Sequence, residues 1–279
     1  MIEGLRKPTS GYAKVAGFDT QKQLDQVKAV IGVQLQSTSL FELLKVHEII
    51  RMYASFYIKS LPIDPLLESV MLTEKKHDRV KNLSGGQKQR LAIALALVND
   101  PKVVFLDEPT TGLDPQSRRT LWDIILQLKR QGKTIVLSTH YMDEAHILCD
   151  RICLVDQGKI IALDTPDNLV KHLHSQDAVE FKIEARTSGI TSDRMEPDSA
   201  QPSEQAVLFT EQLRRLEAVK EVEQRKGQYV LYSDQTQKTL THLIAWADEH
   251  ELQLTDLRTR TATLEDVFIH LTGRSLRES

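Results

Sequence analysis

Leu83-Ser84-Gly85-Gly86-Gln87, followed by Val103-Val104-Phe105-Leu106-Asp107-Glu108, decides the fold of this chain. The first segment reads as a glycine-containing turn in which Ser84 caps a helix running to about Asn99. The second reads as a short buried strand that delivers two carboxylates at its end. The first N–H groups of a helix are unpaired and the dipole is positive there, so such a terminus suits phosphate. Carboxylates at a strand end suit Mg²⁺ and the orientation of water. Together they point to a nucleoside triphosphate.

The flanking segments extend the same pattern. A helix over Gln21–Ala29 leads into a strand Ile31–Leu35 that reaches Gln36, a neutral group able to join a Mg²⁺ shell. Residues 43–80 read as helical, with Val46, Ile49, Ile50 and Tyr53 spaced along one face. Pro109-Thr110-Thr111-Gly112-Leu113-Asp114-Pro115 forms a rigid turn directly after the two acids. A helix then runs from Pro115 to Arg130, a strand from Thr134 to Ser138, and a helix from Met142 to Leu148. His140 follows the strand as Ser138-Thr139-His140, where its ring can reach a terminal phosphate. Asp107 suits the metal shell and Glu108 suits polarising the attacking water. Gly132-Lys133-Thr134 imitates the tail of a phosphate loop, but Gln127 stands where that motif needs glycine. A helix precedes it and a strand comes after it, so Gly132 reads as a helix C-terminal glycine.

Beyond a hairpin at 151–155 and 159–163, Thr165 caps one more helix. The tail then reads as strand 178–184, helix 206–218, strands 220–225 and 228–233, helix 235–249 and strand 252–258. That β-α-β-β-α-β order predicts a small ferredoxin-like unit. Its expected buried face carries Val179, Phe181, Ile183, Val222, Val230 and Tyr232. Residues 187–204 are rich in Ser, Asp, Pro and Gln and read as a mobile loop. A last helix opens at Thr263, with Thr263 and Asp266 placed for a capping box. The expected division is a nucleotide-binding domain over 1–175 and an accessory domain over 176–279.

Composition narrows the function classes. The 279 residues are 41% hydrophobic and 27% charged, which fits a packed fold. A net charge of −3 gives no sign of a nucleic-acid binder. No apolar stretch approaches the roughly 20 residues that span a bilayer. The longest, Leu91–Val98, reads as an amphipathic helix segment. Cys149 and Cys153 have no second ligand pair and fit a reducing compartment.

These pieces in this order resemble the nucleotide-binding subunit of an ABC transporter, over residues 5 to about 173. The motifs that carry the resemblance are the signature Leu83–Gln87, the Walker B strand ending in Asp107-Glu108, the turn Gly112-Leu113-Asp114, the switch histidine His140 and the Q-loop Gln36. The tail, closing in Leu264-Glu265-Asp266-Val267-Phe268 and Leu271-Thr272-Gly273-Arg274, is similar to that of daunorubicin-resistance-type drug exporter subunits.

The resemblance implies an ATPase with ATP and Mg²⁺ as ligands and Glu108 and His140 as catalytic residues. It implies that Ser84, Gly85, Gly86, Gln87, Gln36 and Asp114 bind nucleotide and that Asp107 and Gln36 bind metal. It also implies a second nucleotide-binding subunit, identical or not, and a separate membrane permease touched by segment 37–80. The expected location is the cytoplasmic face of the membrane, with no nucleic-acid partner. Family members begin with a strand, a stacking aromatic and a glycine-rich loop with its lysine. Glu3-Gly4-Leu5-Arg6-Lys7-Pro8-Thr9-Ser10-Gly11 resembles the family's segment just after the helix of that loop. The resemblance therefore implies an N-terminally truncated P-loop NTPase-like domain, expected to bind ATP weakly alone and to show no steady turnover. The alternative is a non-catalytic subunit that lends its signature to a complete partner.

Overall fold

The computed structural model describes residues 1–36, 40–171, 177–185, 204–225 and 227–272. The chain divides into two units, Met1–Glu144 and Ala145–Ser279.

The first unit opens with a minimal antiparallel pair, β1 (Lys14–Val15) and β2 (Phe18–Asp19). Next come α1 (Leu24–Val30), β3 (Ile31–Gln34), α2 (Val46–Ala54), α3 (Ile63–Ser69), α4 (Gly85–Leu97), β4 (Val103–Asp107), α5 (Pro115–Arg130) and β5 (Thr134–Ser138). The start of α6 (Met142–Leu148) closes it. Segment 43–80 is not one helical run. Pro62 caps α3, and single 3-10 turns at Thr73–Lys75 and Val80–Asn82 carry the chain to the signature. The face expected on α2 is buried at Val46, Ile49 and Ile50.

Strands β3, β4 and β5 form a parallel sheet with β4 in the middle. Val103 to Leu106 are buried and Asp107 is exposed, so the strand surfaces where its acids begin. Residues i, i+3, i+4 and i+7 of α5, namely Leu121, Ile124, Ile125 and Leu128, are buried. In α4, by contrast, Leu91 through Leu97 are all buried. The second half of this helix is enclosed on every side rather than amphipathic, and each large side chain there contributes roughly 1.5–3 kcal/mol by leaving water.

Helix α4 approaches β3 so closely that Gly32 has no room for a side chain. A Cβ there would lie 1.8 Å from the Ala96 carbonyl oxygen and 3.0 Å from Pro101 Cγ. The Asn99 amide reinforces this contact by donating to the Ile31 carbonyl at 3.0 Å. Gly32→Ala must push backbone against backbone, so we expect a loss of about 3 kcal/mol or more. A urea midpoint equal to that of the parent would show that β3 and α4 do not meet in this way.

The second unit contains the rest of α6, the hairpin β6 (Ile152–Asp156) and β7 (Lys159–Asp164), and α7 (Pro166–Lys171). Thr165 caps α7 by accepting from the Asn168 N–H at 3.2 Å. Then come β8 (Asp177–Ala185), α8 (Glu204–Arg214), β9 (Val219–Arg225), β10 (Gln228–Ser233), α9 (Thr236–Glu249), β11 (Leu252–Thr261) and α10 (Leu264–Thr272). The loop expected over 187–204 lies outside the described residues, apart from Glu204. Strands β8 to β11 make one antiparallel sheet in the order β11-β8-β10-β9. With two helices inserted, this is the ferredoxin-like arrangement.

Leu213 of α8 and Leu243, Trp246 and Ala247 of α9 share one core with Val179, Phe181, Val222, Tyr229 and Leu231. Both helices therefore cover the same face. Val230 and Tyr232, expected on that face, belong instead to a separate cluster with Ala178. Strand β10 is internal and buried along Tyr229–Ser233, so alternation does not say which of its faces meets the helices. The second face is closed by α10. Tyr232 Oη donates to Asp266 Oδ1 at 3.0 Å, and Arg260 of β11 forks onto the same carboxylate. The Thr263 N–H donates to Asp266 Oδ2 at 2.8 Å, which is the carboxylate half of the expected capping box.

Candidate functional site

The carboxyl ends of three adjacent parallel strands gather the chemistry of the first unit, the usual place for ligands in such sheets. In register, Gln34 of β3 lies beside Leu106 of β4, and Leu106 beside Leu137 of β5. One step further, Asp107 is opposite Ser138. Gln36, Glu108 and His140 come just past these ends.

Glu108 is the centre of the group. Its Oε2 accepts from Gln36 Nε2 at 3.0 Å and from Thr111 Oγ1 at 3.1 Å. Its Oε1 lies 3.5 Å from His140 Nδ1. Its backbone φ is +45°, a left-handed conformation that costs a non-glycine residue on the order of 1–3 kcal/mol. The Glu108 N–H is shared between the carbonyl and the hydroxyl of Ser138, each at 3.1 Å. These bonds and the turn Pro109–Pro115 hold the carboxylate away from the strand axis.

Asp107 is tied to the same knot. Ser138 Oγ donates to Asp107 Oδ1 at 2.5 Å while accepting from the Glu108 N–H. One hydroxyl thus holds the Asp107 carboxylate and the Glu108 backbone. Sequence reasoning assigned no role to Ser138 or Thr111. The signal for Ser138 was its register: a hydroxyl one ladder step from Asp107 is legible once β4 and β5 are paired. Gln36, Asp107, Glu108 and His140 are therefore brought together as expected from the sequence.

Ser84, Gly85, Gly86, Gln87 and Asp114 form a second group. Ser84 Oγ accepts from the Gln87 N–H at 3.3 Å, and Gln87 Oε1 accepts from the Ser84 N–H at 2.9 Å. This reciprocal capping box presets the start of α4. Gly85 is exposed with open space around it. Gly86 is pressed against the start of α5, where a Cβ would lie 2.6 Å from Ser117 Oγ. Ser117 in turn donates to Asp114 Oδ2 at 2.6 Å, and Asp114 Oδ1 accepts from the N–H groups of Gln116 and Ser117. The Ser117 hydroxyl and N–H bonds hold the Asp114 carboxyl below its ordinary range. Asp114 is the N-cap of α5, so its carboxylate is already engaged by its own helix.

Gly85→Ala should melt like the parent, and Gly86→Ala should lose about 1–3 kcal/mol because α4 and α5 must separate. Thermal denaturation of the two variants checks this, and equal melting would remove the packing role of Gly86.

The donor set suits a hard cation: Asp107 and Gln36 offer carboxylate and amide oxygens of the kind Mg²⁺ takes beside phosphate and water. Among the described residues, no helix is long and apolar enough to cross a membrane.

Comparison with known proteins gives one consistent picture. The ABC transporter family model matches residues 1–111. The linearmycin resistance ATP-binding protein LnrL of Bacillus subtilis (strain 168) is 32% identical over 286 residues, covering 100% of this chain and 86% of that protein. The Nod factor export ATP-binding protein I of Rhizobium johnstonii is 33% identical over 283 residues, covering 100% and 82%. Among solved structures, cbiO1 from Clostridium perfringens, part of the ABC transporter complex cbiONQ, superposes with a TM-score of 0.55 at 28% identity, covering 61% of this chain and 72% of that one. A dimeric post-hydrolysis state of the ATP-binding cassette MJ0796, bound to ADP and Pi, gives 0.52 at 27% identity, covering 59% and 77%.

Proposed function

We propose a role in export for this chain, which belongs to the ABC transporter family of ATP-binding proteins: it powers a separate membrane permease for a drug or lipid-like substrate. The observation that carries its ATPase part is the hold on Glu108, with Gln36 and Thr111 on one oxygen and His140 facing the other. Phosphoryl transfer needs positioning and charge stabilisation more than covalent chemistry, and a fixed carboxylate beside an imidazole supplies both. Glu108 takes hydrogen bonds from the attacking water and orients it. His140 steadies Glu108 and contacts the terminal phosphate. Gln36 and Asp107 are the groups that would hold Mg²⁺, which when bound neutralises charge on the phosphate oxygens.

Ser84, Gly85, Gly86 and Gln87 present the α4 terminus to the nucleotide of a second subunit, identical or not, and Asp114 braces that surface through Ser117. We assign residues 1–175 to nucleotide binding and 176–279 to an accessory domain of the daunorubicin-resistance type. The subunit works at the cytoplasmic face of the membrane, with segment 37–80 against the permease. The relatives named for linearmycin resistance and Nod factor export, aligned along the whole of this chain, support export as the process it serves.

The test is efflux. Deleting the gene should raise cellular retention of drug or lipid-like compounds, and the parent gene but not Glu108→Gln should restore efflux. Restoration by Glu108→Gln would overturn the assignment.

A further inference from the structure

His140 has a neighbour on each side. Its Nδ1 faces Glu108, and its ring packs on Tyr141 with centroids 4.1 Å apart and planes tilted by 40°. The guanidinium carbon of Arg118 lies 4.2 Å from the centroid of that same tyrosine ring. Arg118 Nε is buried and has no hydrogen-bond partner among the described residues. Arg118 is half-buried, and the tyrosine face beside its unpaired Nε–H offers the guanidinium a cation–π contact. Nearby bonds make the arrangement rigid. The Tyr141 N–H donates to Thr139 Oγ1 at 3.0 Å. Trp122 Nε1 of α5 donates to the buried Glu144 at 3.0 Å, which pins the start of α6 to the same helix as Arg118.

Arg118 also stands next to Ser117, the residue that fills the space in front of Gly86. The first turn of α5 therefore touches the signature helix with one residue and the tyrosine behind His140 with the next. We infer that Arg118 and Tyr141 are positioning residues that hold His140 against Glu108 and tie its placement to the α4–α5 contact at Gly86. This rests on the reading of Glu108 and His140 as the hydrolytic pair. Neither Arg118 nor Tyr141 reaches the reacting atoms. They act through the imidazole, whose displacement by an ångström is enough to cost a large factor in rate.

The test has two independent readouts. The first is the NMR signal of the His140 ring in the full chain carrying labelled histidine, assigned with His140→Gln. The Tyr141 ring current should displace this signal upfield. Tyr141→Leu should remove the displacement, Tyr141→Phe should keep it, and Arg118→Met or Arg118→Gln should reduce it. The second is ATP turnover in the assembled transporter. There Arg118→Met and Tyr141→Leu should lower kcat about 10- to 100-fold with KM unchanged, and Tyr141→Phe should match the parent. Adding Arg118→Met to Tyr141→Leu should change nothing further, because both act through one stack.

His140 signals unmoved by both Arg118 variants would overturn the inference, as would fully additive rate losses. If the parent assembly shows no turnover, the hydrolytic reading fails, and the ring signals alone decide whether the stack places His140.

Discussion

Glu108→Gln should stop steady ATP turnover in the assembled transporter while ATP binding persists. The substitution keeps the size of the side chain, and its carbonyl oxygen can still accept from Gln36 Nε2 and Thr111 Oγ1, which now meet Glu108 Oε2 at 3.0 and 3.1 Å. What is lost is the negative charge that, in the proposed role of Glu108, polarises water opposite the phosphate. General-base groups of this kind are worth on the order of 10²–10⁴ in rate. Gln36, Asp107 and the signature residues remain in place, so affinity for ATP should be close to that of the parent. A subunit pair trapped with ATP, detected as a larger species by size-exclusion chromatography, is the expected sign. Turnover near the parent rate would mean that another group orients the water, and the cluster around Glu108 would then lose its catalytic meaning.

The second large effect belongs to the ferredoxin-like sheet. Asp266→Ala should destabilise it by about 3 kcal/mol, because the change leaves Arg260 partly buried without its main partner. The Asp266 side chain is wholly buried, and Arg260 is 28% exposed. Burial alone raises the Asp266 carboxyl, and this is outweighed by the Arg260 guanidinium and the Thr263 N–H, which hold it well below the usual carboxylate range. Burial likewise lowers Arg260, and Asp266 and Glu180 together raise it above its ordinary value. Because the folded carboxyl is depressed, its contribution is complete above the unfolded value of about 3.9 and is lost as pH falls towards the folded one.

Stability of this sheet from the pair should therefore be flat from neutral pH down to about pH 4 and fall only below it. Asp266→Ala should erase that acid dependence together with the stability. Replacing Arg260 and Asp266 together by leucine should recover only part of the loss, because Glu180 also loses its bond to Arg260. Trp246 lies in this sheet's core, so its fluorescence tracks the transition in a Trp122→Phe background. A single variant as stable as the parent would show that the Arg260–Asp266 pair contributes nothing to holding α10.

Much of the site was legible because its parts are local. Ser84 and Gln87 are three residues apart and cap the same helix, so the start of α4 is set by the chain alone. Asp114 and Pro115 define the start of α5 in the same way. The β4 run is apolar until Asp107, and the strand comes to the surface there because the acids cannot be buried unpaired. The order of strands and helices in the tail was likewise set by period and turn residues, and it led to the ferredoxin-like sheet.

The tertiary structure was required for everything that joins residues far apart in the chain. That Ser138 binds both the Asp107 carboxylate and the Glu108 backbone depends on the pairing of β4 with β5, which no local pattern states. The need for glycine at positions 32 and 86 arises from Ala96 and Ser117, each on a different element. The burial of Val230 and Tyr232 away from α8 and α9 comes from a strand covered on both faces, where periodicity carries no sign. Local hydrogen bonds, caps and hydrophobic period are properties of a few consecutive residues, and the sequence by itself determined them. Register, close approach and the choice between two buried faces are settled by packing free energy summed over the whole unit, and only the folded chain decided those.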